Sequence, residues 1–113
     1  MDVEARLYSG RSNPVWKLDA AQTRDFIARY EALPRLSRAP DIPDQLGYSG
    51  VTVRGEEGGA AREWRIAAGV VERGEETRAD PGRRLEAFVI GTGSNALEPA
   101  LFDYLSKLAA EAP

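Results

Sequence analysis

Apolar and polar residues alternate from Val3 to Tyr8, with Val3, Ala5 and Leu7 on one side and Glu4, Arg6 and Tyr8 on the other. A period of two predicts a half-buried strand, and the turn formers Ser9-Gly10-Arg11-Ser12-Asn13-Pro14 close it. The period then changes. Asp19 stands three residues before Gln22, the spacing of a capping box, and Phe26, Ile27, Tyr30 and Leu33 follow at helical intervals until Pro34 ends the run. Pro34, Pro40 and Pro43 make Leu33–Gly47 an extended crossover pinned by Leu36 and Ile42.

Two further strands are expected as a hairpin. Tyr48–Arg54 presents Val51 and Val53 on one side, and Trp64–Val71 presents Trp64, Ile66, Ala68 and Val70, which leaves Arg65, Ala67, Gly69 and Val71 facing away. Gly55–Ala61 between them reads as a long, mobile, polar tip. Asp80-Pro81 then signals a helix start, with Leu85, Phe88 and Val89 at i, i+3 and i+4 and Gly91 or Gly93 as the stop. Phe88-Val89-Ile90 also suits a strand, and the cap decides for helix. A last helix from Pro99 carries the stripe Leu101, Tyr104, Leu105 and Leu108. The expected order is β-α-β-β-α-α: one α+β domain over residues 1–113, with a small three-stranded antiparallel or mixed sheet and three helices on one face.

Composition narrows the chemistry. Among the 113 residues there is no cysteine and no histidine, so thiolate zinc sites, disulfides and imidazole-based catalysis fall away, and no cofactor or metal is expected. Net charge is −3 and the charges are interspersed, with Arg83-Arg84 the one adjacent basic pair. That is no phosphate-tracking stripe, so nucleic acid is not an expected partner. No apolar run suits a membrane span, and Met1-Asp2-Val3-Glu4 lacks the features of a signal peptide, so cytoplasmic residence is expected. All but two of the 15 basic residues are arginine, a bias that matches GC-rich bacterial coding.

Ser9-Gly10-Arg11-Ser12-Asn13-Pro14-Val15-Trp16-Lys17-Leu18 resembles the opening of a group of short bacterial proteins that carry S-G-R-x-N-P-x-W-x-L soon after a first strand. Leu46–Gly50 and Asp80–Arg83 extend the likeness loosely. The resemblance implies no particular activity; it points towards small accessory subunits of peptide-modifying enzymes.

Physically, Arg11 and Asn13 are candidates to hold a carboxylate or phosphate, with Arg83 as a third contact, or else to pair with a nearby acid and cap a turn. Gly91-Thr92-Gly93-Ser94-Asn95-Ala96 imitates a dinucleotide fingerprint but lacks the returning strand and acidic residue which that motif needs. Glu56-Glu57 and Glu75-Glu76 read as solvated loop pairs. Tyr8 and Tyr48 are candidate exposed anchors, and Arg65, Ala67 and Gly69 form a flat strip on the back of the sheet.

The leading expectation is therefore a non-catalytic module that binds a protein or peptide, or a second copy as a homodimer, along the sheet or its edge. Its alternative is a small-ligand or anion-binding protein using Arg11 and Asn13. A third reading is an enzyme using carboxylate and tyrosine chemistry.

Overall fold

Strand β1 (Asp2–Leu7) realises the first alternation, and Val3 and Ala5 are fully buried. This computed structural model describes residues 1–7, 13–37 and 48–110. Strand β2 (Val15–Lys17) follows, then helix α1 (Ala20–Glu31). The capping box forms as the spacing predicts. Asp19 Oδ1 accepts from the Gln22 backbone N–H at 2.7 Å, and the Asp19 N–H donates to Gln22 Oε1 at 2.9 Å.

After α1 come β3 (Arg35–Leu36), β4 (Tyr48–Glu57), β5 (Ala60–Ala67), β6 (Val70–Arg73) and β7 (Glu76–Ala79). The three-stranded sheet expected from the sequence is thus corrected to a seven-stranded antiparallel one, in the spatial order β2-β1-β4-β5-β6-β7-β3. The mobile tip expected over 55–61 is corrected too. Gly55, Glu56 and Glu57 pair with Arg62, Ala61 and Ala60, so only Gly58-Gly59 turns the chain.

The strand expected over Trp64–Val71 is in fact two. Ala68 (φ +51) and Gly69 (φ +83) form a two-residue turn between β5 and β6, the primed geometry that matches strand twist. Because Ala67 pairs with Val70, the alternation is mirrored across the turn: Val71 joins the core beside Ile66, and Val70 lies on the other face beside Ala67. The sequence-based facing of Val70 and Val71 is therefore reversed.

A 3₁₀ turn (Pro81–Arg83) leads into α2 (Arg84–Gly91), and α3 (Pro99–Ala110) ends the described chain. Residues 84–91 are helix rather than strand. Asp80 caps α2 from a distance, because left-handed Gly82 and Arg83 fold the chain back on it. Its two carboxylate oxygens accept from the N–H groups of Leu85 (2.8 Å) and Glu86 (3.1 Å).

The core lies between one face of the sheet and the helices. Val3, Ala5, Val51, Val53, Trp64, Ile66 and Val71 from the strands meet Phe26, Tyr30, Leu85, Val89, Ile90 and Leu105 from the helices. Trp64 is its centre, fully buried and edge-on to Phe26 (5.2 Å between ring centroids) and Tyr30 (6.2 Å). On α3, Leu105 is buried while Tyr104 is exposed. None of the described helices is long and apolar enough to cross a membrane.

An alanine in left-handed backbone costs about 1 kcal/mol that glycine does not. Ala68→Gly is therefore expected to raise stability by about 0.5–1 kcal/mol, read as a higher urea midpoint at unchanged slope. A lowered midpoint would mean that the Ala68 side chain is worth more than the strain it causes.

Candidate functional site: the helix-free face of the sheet

Strand register sorts the sheet into two unlike faces. On the helix side, two cross-strand rows begin apolar and end ionic: Trp16–Val3–Val53–Trp64 runs into Arg73–Glu76, and Ala5–Val51–Ile66–Val71 runs into Arg78–Arg35. On the opposite face, over which no helix packs among the described residues, three rows follow one another. They are Lys17–Asp2–Arg54–Glu63, then Val15–Glu4–Thr52–Arg65–Glu72–Thr77–Leu36, then Ala67–Val70–Ala79. Thr52, Val70 and Thr77 are buried there, and the Thr52 hydroxyl has no hydrogen-bond partner among the described residues. The accessible part of the face is the β2–β1–β4–β5 side, where Val15, Lys17, Arg54, Glu63 and Arg65 are exposed. A shallow open depression of about 470 Å³ adjoins it, between Asp2, Arg54, Gly55, Glu56, Ala61, Arg62 and Glu63.

The structure brings some of the sequence-derived candidates together and separates others. Arg65 and Ala67 share this face of β5. Asn13 reaches it from the side: its Nδ2 donates to Glu4 Oε2 at 2.7 Å, and Glu4 Oε1 accepts from Arg54 at 3.1 Å. The bond from Asn13, with that from Arg54, holds the Glu4 carboxyl below its ordinary range. Gly69 belongs to the β5–β6 turn, so the flat Arg65–Ala67–Gly69 strip is corrected to Arg65 and Ala67 beside Val70 and Ala79. Tyr48 opens β4 opposite Leu7, on the third strand from β2. Tyr8 and Arg11 lie outside the described residues.

Sequence reasoning missed Val15, Lys17, Arg54 and Glu63. Only Val15-Trp16-Lys17 offered a signal, and three residues are too few for a period to show.

Where they are described, the Ser9–Leu18 and Asp80–Arg83 segments have local structural duties. Trp16 lies on the core side of β2, its Nε1 donating to Thr92 Oγ1 at 2.9 Å. A Cβ on Gly93 would stand 2.7 Å from the Trp16 ring, so this glycine makes room for the indole. The Gly91–Ala96 run therefore ends a helix and seats a tryptophan, whereas a dinucleotide loop follows a strand. Arg83 grips the fully buried Glu86 through both oxygens, at 3.1 and 2.7 Å.

The perturbed titratable groups are likewise taken up internally. Burial pushes the Asp80 carboxyl up, against the opposing pull of the Leu85 and Glu86 N–H groups. Burial, reinforced by donation of its hydroxyl to Glu76, pushes Tyr30 up to about 12. That hydroxyl and the neighbouring guanidiniums hold Glu76 below its ordinary value of 4.5. Arg73, Arg78 and Arg35 all pair with Glu76, at 3.2, 3.3 and 3.1 Å. Among the described residues no group of three carboxylates is placed to hold a metal ion.

Two outcomes follow from these contacts. A carboxyl whose pKa is depressed by folding contributes stability above its unfolded value and loses it as pH falls through the folded one. The wild type is thus expected to lose stability on acidification below 4.5 more steeply than Glu76→Gln, which should itself cost about 1.5–3 kcal/mol at neutral pH. Parallel acid limbs in urea titrations at several pH values would contradict this. Gly93→Ala is expected to cost about 1–3 kcal/mol by overpacking and to shift tryptophan fluorescence; a neutral result in both would show that the ring is free to move aside.

No family model, curated protein or solved structure matches the chain.

Proposed function

We propose that this protein is a non-catalytic module that binds a protein or peptide on the helix-free face, at the β1–β4–β5 side. The observation that carries this reading is Arg65: it stands exposed in mid-strand, its side chain without a hydrogen bond or ion pair to any described residue, next to half-buried Ala67, on a face without a helix among the described residues. On that face Arg65 has Glu63 and Ala67 beside it along β5 and Thr52 and Glu72 across from it, and an exposed arginine suits a binding surface, where that residue is enriched. The internal engagement of Asp80, Glu86, Tyr30 and Glu76 adds support, because each of these groups is already bonded within the fold.

The accessory-subunit role implied by the N-terminal resemblance is compatible with such a surface. The anion-binding alternative gains no support from Asn13 and Arg83, whose described partners are both carboxylates.

Arg65→Glu and Ala67→Arg are expected to abolish partner binding, while each changes stability by no more than about 0.5 kcal/mol. A photo-crosslinking residue at position 65, used in the native host, identifies the partner; purified partner then gives affinities for wild type, both variants and the α1 control Arg24→Glu. Equal affinities throughout, with identical sedimentation of all four proteins, would remove this face as the working surface.

A further inference from the structure

Beside the helix-free face lies the open edge of the sheet. No strand lies beyond β2 in the described sheet. The Ala5 N–H donates to the Pro14 carbonyl at 3.0 Å, and the Leu18 N–H donates to the Met1 carbonyl at 2.8 Å. With Val3 opposite Trp16 between these two contacts, the alternation of an antiparallel ladder turns the Trp16 main chain towards β1. The N–H and C=O groups of Val15 and Lys17 therefore point outwards. Both side chains stand on the helix-free face: Val15 is 59% exposed, and the Lys17 side chain is 84% exposed. The ion pair of Lys17 with Asp2 is long, at 3.9 Å, and lies in solvent, so it holds the lysine weakly.

Resting on the binding-module reading, we infer that β2 accepts an extended segment of a partner protein as an eighth, antiparallel strand. The segment has an acidic residue opposite Lys17 and an apolar residue opposite Val15. Four main-chain hydrogen bonds hold it, two exchanged with Val15 and two with Lys17. The antiparallel sense continues the pairing of every other neighbour in the sheet. In that direction the partner reads acidic–any–apolar from its N-terminus.

Charge selects the occupant. A lysine on an edge strand discourages indiscriminate pairing, and the same lysine favours a strand that brings a carboxylate to it. Pro14 limits the edge on one side and the start of α1 limits it on the other. Three residues of contact are too few for the area that a stable dimer needs, which favours a peptide segment over a second copy.

The probe is the blocked peptide acetyl-Thr-Glu-Thr-Val-Thr-amide, followed by amide hydrogen exchange and amide chemical shifts of the whole protein. At ten times its Kd, about one molecule in eleven is unoccupied, so exchange at Val15 and Lys17 should slow about tenfold. The Trp16 amide, already bonded to β1, should not change. A peptide with lysine in place of glutamate should bind at least several-fold more weakly. Val15→Pro removes an outward N–H together with the exposed valine side chain, and it should abolish binding while the protein unfolds as cooperatively as wild type.

Unchanged exchange at Val15 and Lys17 under saturating peptide, or full binding by Val15→Pro, overturns the inference. If the edge fails in this way while Arg65→Glu still loses the crosslinked partner, the face reading stands and strand addition alone is wrong. If wild type sediments as a dimer and Val15→Pro as a monomer, a second copy fills the edge and the peptide assignment is overturned.

Discussion

The guanidinium of Arg78 is the point at which helix α1, strand β7 and the ionic end of the core are joined. It is 7% exposed, and burying a cation is costly unless it is paired and hydrogen-bonded. Here Nη1 donates to the carbonyls of Tyr30, Glu31 and Leu33, at 3.2, 2.9 and 3.2 Å, while Nη2 donates to Glu76 at 3.3 Å. Carbonyls left over at a helix C-terminus carry the negative end of its dipole, so α1 and Arg78 satisfy each other. The Tyr30 ring lies against two cations, 4.6 Å from Arg78 and 5.1 Å from Arg73. Within this guanidinium, Nε has no partner among the described residues. Once this contact fixes the end of α1, Pro34 is placed to accept from the Ala79 N–H at 2.9 Å, and β3 pairs alongside β7.

That contact also explains which strands were legible in the sequence. β1, β4 and β5 bury alternate apolar residues against helices, and their period of two is visible. The capping box of α1 is local chemistry and reads directly from Asp19 and Gln22. β7, in contrast, is Glu76-Thr77-Arg78-Ala79, and its inward positions are Glu76 and Arg78. Where the inward face is ionic, the usual apolar–polar contrast disappears, and Glu75-Glu76 looks like solvated loop. β2 and β3 have three and two residues, too short for any period, and they exist because neighbouring strands and α1 present them with partners.

The largest error on the candidate site came from one turn. Reading Trp64–Val71 as continuous placed Gly69 on the back face and Val70 in the core. The Ala68-Gly69 turn mirrors the alternation, so a single unrecognised pair of positive φ angles reassigned every position after it. Arg65 and Ala67, which precede the turn, kept their predicted face. Ala-Gly is a weaker turn signal than Asn-Gly or Gly-Gly, because alanine only enters the left-handed region under strain.

The ionic cluster around Tyr30 and the pairs on the helix-free face differ in what a partner can do with them. Around Tyr30, Arg73, Glu76 and Arg78 are buried or half-buried and share several partners each, so removing one strands the others. On the helix-free face Glu4 is half-buried and held by Asn13 and Arg54, but two pairs are long and solvent-exposed: Arg54 with Glu63 at 3.8 Å and Lys17 with Asp2 at 3.9 Å. Exposed pairs of that kind are worth about 0–1 kcal/mol. An incoming carboxylate can therefore exchange with them at little cost to the fold, and the Arg65 side chain needs no exchange because it pairs with none of the described residues. The rigid charges hold the helices to the sheet, and the replaceable ones lie on the face and edge assigned to binding. On the proposed reading, that division lets the surface rearrange its ion pairs around a partner without loosening the core beneath it.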